Sequence, residues 1–234
     1  MRNRIFFIVL ILIGLSLHFG CKKNDNPVNS EGTLGYFTGK VVDENGNAVI
    51  GAKIHAIPNV LQTSTLEKIT SINEIIEFQF SLQQTSIVNL ILLRRGTSDT
   101  VAVVIQNQEM PAGVHSIFFE TTELTAGVYT MKLEYGNERI ENNLILLKEI
   151  SELTNANPTI ITKEDGKFIL PNKLFSIGVS FIRTSGISPD SIGAITVTNN
   201  VTFLIMKEGF KNLQENITID TTIASLKLFT LQKN

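Results

Sequence analysis

Tryptophan is absent from this chain, and one cysteine, Cys21, stands among its 234 residues. A single thiol closes no intrachain disulfide and builds no cysteine-based metal site, so a packed core must hold the fold. Charge is scarce too. There are 20 Lys+Arg against 22 Asp+Glu, a net charge of -2, and the pI is near 6.0. Without a cationic surplus to neutralise phosphates, a nucleic-acid partner is not expected. At 43% hydrophobic and 18% charged the chain is too apolar to stay unfolded, and its length suits one large domain or two small ones.

Imidazole is equally sparse. His18 lies in an N-terminal apolar run, which leaves His55 and His115. Two histidines are too few for a three-His zinc site, and neither sits in an H-E-x-x-H spacing. The strained G-x-S-x-G turn that exposes a nucleophilic serine is missing, and Gly35 to Val41 lacks the spacing and the Ser/Thr of a phosphate loop. His55 is expected to point to solvent from a strand, and His115 to be a ring following a turn. Asp43, Asn45 and Asn47 crowd one turn, where they either coordinate Ca²⁺ through oxygens or bond their own backbone; the second reading is favoured. No catalytic residue, cofactor or metal ligand is therefore assigned.

What is present begins with an address. Arg2 and Arg4 precede an apolar stretch from Ile5 to Phe19, and Gly20-Cys21 follows. That order is a secretory signal peptide, and the run falls short of the roughly 20 apolar residues of a membrane span. The lone cysteine at the end of this run resembles the lipobox of bacterial lipoproteins, although His18 stands where that family usually has Leu. The resemblance implies that Cys21 is acylated and moors the protein to membrane lipid; a plain secretory signal with an incidental cysteine is the alternative. Losing Arg2 and Arg4 leaves 18 basic residues against 22 acidic, a net charge of -4. Residues 22–33 (KKNDNPVNSEGT) carry one apolar side chain, Val28, and read as a flexible tether of at most roughly 40 Å.

From Gly35 onward the pattern is β. Val, Ile, Thr, Phe and Leu form short runs punctuated by Asn-Gly and Asp-Gly pairs, and no helical period is sustained. Strict alternation from Ile76 to Leu82 marks a half-buried strand, and Ala52, Ile54 and Ala56 alternate with Lys53 and His55 in the same way. Tyr135 to Glu138 and Glu164 to Lys167 read as hairpin turns. The apolar runs Ile87 to Leu93 and Leu144 to Leu147 fit strands that are central or buried on both faces. Leu61 to Thr70 and Lys148 to Thr154 are ambiguous and could hold helical turns. Ser185 to Asn200 suits an extra hairpin or loop.

The segment Gly39-Lys40-Val41-Val42-Asp43-Glu44-Asn45-Gly46-Asn47-Ala48-Val49-Ile50-Gly51-Ala52 resembles the opening of a carboxypeptidase regulatory-like, transthyretin-like domain. Pieces similar to the rest of that family come much later, at Thr159 to Thr162, Asp165 to Phe168 and Phe203 to Phe210. Between them, Ile76 to Leu82, Val88 to Arg94, Ala112-Gly113-Val114-His115 and Ala126-Gly127-Val128-Tyr129 resemble the Ig-like domain first named from the flagellar hook-capping protein. The expected architecture is thus all-β with two β-sandwiches: a host over 34–60 and 151–234, and a guest at 61–150 inserted in it. Two adjacent sandwiches in series are the simpler alternative.

Both resembled families are accessory, and neither brings catalytic residues. The functional expectation is a non-enzymatic envelope lipoprotein, anchored through Cys21 to the outer membrane, that meets a protein partner by surface complementarity or strand addition. A carbohydrate-binding lipoprotein is the alternative. It is weakened by the missing tryptophan and by having only Tyr36, Tyr129 and Tyr135 as amphipathic rings. The eleven phenylalanines beyond the signal segment are expected mostly in the core.

Overall fold

The structure is a computed structural model that describes residues 35–62, 75–185 and 188–234. Cys21, the tether and residues 63–70 lie outside the described residues. The chain is all-β. In order the strands are β1 (Tyr36–Asp43), β2 (Lys53–Gln62), β3 (Ile75–Leu82), β4 (Ser86–Arg94), β5 (Thr100–Met110), β6 (Gly113–Glu120) and β7 (Gly127–Tyr135). There follow β8 (Glu138–Leu146), β9 (Ile160–Ile161), β10 (Lys167–Pro171), β11 (Ser180–Ser185), β12 (Ser188–Met206), β13 (Leu213–Thr218) and β14 (Ser225–Leu231). Short 3₁₀ turns at Ile150–Thr154 and Asn172–Phe175 are the helical elements among the described residues.

The first sandwich stacks a three-stranded sheet, ordered β10-β1-β14, on a sheet ordered β11-β12-β2-β9, with β13 also paired to β12. One core joins them: Phe37, Val41, Phe168, Leu170, Phe229 and Leu231 from the first sheet meet Ile54, Ala56, Val201, Phe203 and Ile205 from the second. Alternation explains the assignment, because residues two apart on a strand share a face. Phe37 stacks on Phe203 with centroids 4.9 Å apart, and Phe168, Phe175 and Phe229 surround the pair. Gly39 has a packing reason. A Cβ there would stand 2.2 Å from the Phe168 ring, which lies across the strand.

The second sandwich sets the pair β3-β6 against a four-stranded sheet, β5-β4-β7-β8. Phe78 and Leu82 of β3 meet Val88, Leu90, Ile105 and Leu133 in its core. β1 and β2 precede this unit in sequence, yet β1 pairs with β10 and β14, and β2 with β9 and β12. Both partners of β1 lie beyond residue 160.

Some local expectations need correction, and others are resolved. His55 is fully buried rather than solvent-facing. Its face of β2 is covered by the second sandwich, which strand alternation alone does not reveal. The turn at Glu164 to Lys167 joins no hairpin ladder, since β9 and β10 belong to different sheets, and it carries the chain from one layer to the other. β4 is central as expected, but only alternate positions are buried, and Ile87 is 59% exposed. Phe118 is exposed, an exception among phenylalanines expected mostly in the core. Lys148 to Thr154 resolves into the 3₁₀ turn, closed by a reciprocal bond between Glu149 and Glu152. Ser185 to Asn200 lies largely in β12, which forms a hairpin with β11.

Candidate functional site

The two sandwiches meet where the outward face of β2 and β12 is covered by the start of β7, the end of β8 and the 3₁₀ turn that follows. Ile57 and Leu204 pack with Ala126, Leu153 and Ala156. Beside them Ile195 and Val197 pack with Val128, Ile145 and Leu147. The consequence is visible in β2, whose residues from Ile54 to Pro58 are all buried.

Thr125 is the polar centre of this contact. Its hydroxyl lies 2.9 Å from Nδ1 of His55, and its carbonyl accepts a 2.6 Å bond from the Tyr129 hydroxyl. Burial pushes the Tyr129 hydroxyl up to about 12, so it stays a donor. Burial, helped by the nearby positive charges of Lys53 and Arg94, brings His55 down to about 4. At neutral pH the ring is therefore uncharged. Its Nε2 finds no partner among the described residues, whichever tautomer binds Thr125. Such an orphan costs about 1–3 kcal/mol, so this histidine is held by its surroundings rather than stabilising them.

The tip of the β4–β5 hairpin forms a second contact. Arg95 donates its backbone N–H to the Val128 carbonyl and its guanidinium to the Ser176 hydroxyl, at 3.1 Å each. Gly96 sits at φ +78, and a Cβ there would be 2.5 Å from the Lys173 backbone. Only glycine allows both this left-handed conformation and the close approach. Alongside lies an open cleft of about 800 Å³ lined by Arg95, Thr130, Asn143, Asn172 and Lys173 among others. The Asn172 amide is buried with neither its oxygen nor its nitrogen bonded among the described residues.

The remaining sequence candidates separate. Asp43 accepts the backbone N–H groups of Asn45 and Asn47 at 2.9 and 2.8 Å and the Asn47 amide at 3.1 Å. The Asn47 side-chain bond, first among these, holds the carboxyl below its usual range. Both oxygens are thus committed to the turn. His115 lies on β6 of the second sandwich, against Phe80 with centroids 5.3 Å apart, and bonds the Pro111 carbonyl at 2.9 Å. It is not brought near His55. Among the described residues no group of three His, Cys, Asp or Glu side chains converges on a metal-sized site, and no helix is long and apolar enough to cross a membrane.

Sequence reasoning missed the role of Thr125 and the burial of His55. One signal was readable: from Ile54 to Pro58 the chain offers apolar residues in both phases of the strand, which a strand with a wet face does not require.

Compared with known protein families, the chain matches none of their models, and no curated protein resembles it significantly in sequence.

Proposed function

We propose that this chain is a non-enzymatic envelope lipoprotein, anchored to the outer membrane through an acylated Cys21, whose two sandwiches act as one structural and protein-binding body. In this reading the second sandwich is a guest placed between β2 and β9 of a transthyretin-like host, and its Ig-like strands carry the binding surface. The observation that carries the reading is the outward face of β6. Val114 is 77% exposed and Phe118 66% exposed on the same face of a two-stranded sheet, where solvent-facing residues are ordinarily polar. The buried ionisable groups described above, by contrast, are bonded within a turn or within the junction.

The test places a photo-crosslinking residue at Phe118 and another at Asn137 in intact cells. One defined partner band at Phe118, absent at Asn137 and lost on Val114→Asp, supports the reading; equal labelling at both positions ends it. Mass analysis of the Cys21 peptide tests the anchor separately.

A second reading, a carbohydrate-binding lipoprotein, rests on the cleft beside Arg95. Asn143, Asn172 and Lys173 give it the amide and cationic groups that hydroxyl-rich ligands bond, though no aromatic platform lines it. A glycan array without a binder removes this reading.

A further inference from the structure

We infer that the outward face of the β10-β1-β14 sheet rests on the lipid bilayer to which Cys21 is attached, so that the second sandwich stands away from the membrane. The inference rests on the proposed acylation of Cys21 and adds an orientation to it.

The face follows from register. Phe37, Val41, Phe168, Leu170, Phe229 and Leu231 point into the core, so the alternate residues point out. Thr38 is flanked by Ile169 on β10 and Leu226 on β14, and Lys40 by Lys167 and Leu228. Tyr36 opens the same face at the strand's first position. Exposure is 44% at Tyr36, 50% at Ile169, 37% at Leu226 and 54% at Leu228. A sheet face meant for water would place polar side chains at those positions.

Two observations select the occupant. The first is where the chain arrives. Tyr36 is part of the face and follows Cys21 by 15 residues, which reach at most roughly 50 Å. An acyl anchor at Cys21 therefore keeps this surface at high effective concentration beside the lipid. The second is area. Three strands of five to eight residues present roughly 300 Å² by strand spacing and rise, well below the ~800 Å² per partner of a stable protein interface. A second copy is thus a poor fit, whereas an already tethered membrane contact needs no such area.

The chemistry is interfacial. Tyrosine favours the headgroup level, and lysine stems lie along apolar surface while the ammonium reaches water. Lys167 is paired to Asp165 at 3.4 Å, so the contact depends on apolar burial more than on headgroup charge. The opposite face of this sandwich is occupied by the second one, which fixes the order membrane, first sandwich, second sandwich.

The lack of tryptophan makes the test direct. Single-tryptophan variants Leu228→Trp, Ile169→Trp and Asn137→Trp, in the chain from Cys21 onward, are coupled through that thiol to a maleimide lipid in phosphatidylcholine vesicles with brominated acyl chains. Insertion to the headgroup–acyl boundary predicts a blue shift and loss of about half the emission at 228 and 169, with little change at 137. Absence of quenching at 228 and 169, or equal quenching at all three positions, overturns the inference. A blue shift that follows protein density without quenching assigns the face to a second copy and overturns it too. Coupling is chemical, so the vesicles report on the face whether or not cells acylate Cys21. Separately, an unmodified Cys21 in the native protein removes the anchor and the inference with it.

Discussion

The two sandwiches are built to different standards. The first encloses five phenylalanine rings, Phe37, Phe168, Phe175, Phe203 and Phe229, between sheets of three and five strands. The second lays two strands over four, fills its core mostly with aliphatic side chains, and leaves a hollow of about 170 Å³ lined by Phe78, Leu90, Leu133 and Ile140 among others. A small sheet covers little, and what it leaves uncovered must be buried elsewhere or stay wet. Val128, Ile145 and Leu147 of the second unit are buried by the first. Ile57, Ile195, Val197 and Leu204 of the first unit are buried there in turn, so the contrast rests on the cores. With its larger, ring-filled one the first sandwich is expected to hold its own fold, while the second draws part of its stability from the junction.

The most severe test of that contrast is Phe203→Ala. It empties the centre of the ring cluster and is expected to cost about 3–5 kcal/mol, read as a lower urea midpoint for the whole molecule. If the second sandwich kept its own midpoint while the first unfolded, its dependence on the junction would be refuted.

The next effect is one of pH. His55 has a folded value of about 4 against 6.5 in an unfolded chain, so the unfolded state takes the proton first. Its neutral form is fully compatible with folding above 6.5, and stability is lost as pH falls from there to about 4, by about 3 kcal/mol in total. His55→Leu should remove that slope. Urea midpoints at pH 7 and pH 4.5, compared between the two proteins, check it; the same slope in both would place the pH sensitivity elsewhere.

Two rings in equivalent turns sharpen the comparison at smaller scale. Each follows Ala-Gly-Val, and each bonds the carbonyl four residues before it: Tyr129 to Thr125, His115 to Pro111. Tyr129 is fully buried at the junction, so Tyr129→Phe leaves a buried carbonyl short of a donor and should cost about 1–2 kcal/mol by thermal unfolding. His115 lies half-exposed on the two-stranded sheet. His115→Phe should change stability by less than about 0.5 kcal/mol. A larger loss at His115 than at Tyr129 would invert the ranking of the two sandwiches.

Much of this architecture was readable from local pattern. Alternation at Phe78, Phe80 and Leu82, and the Gly136-Asn137 turn between β7 and β8, are properties of a few adjacent residues, and strand chemistry reports them directly. Of the junction, little was readable beyond the apolar residues in both phases from Ile54 to Pro58. His55 looks like any polar residue on an alternating strand, and what buries it, Thr125 and its neighbours, lies about 70 residues away. The Asp165-Gly166 turn misled for a related reason: a tight turn announces reversal but not which sheet receives the next strand. The candidate cleft escaped as well, since Arg95, Asn143 and Asn172 converge only through the contact between the two units.

The parallel ladder between β1 and β14 has one more consequence. Residue 37 lies opposite residue 225 and residue 43 opposite residue 231, so the central strand of the ring-lined sheet gains its second neighbour only after nearly two hundred further residues have been made. Contacts so distant along the chain close slowly. The ring-lined sheet is therefore completed by nearly the last strand of the chain to be synthesised, and cannot lock shut before that strand is free to fold.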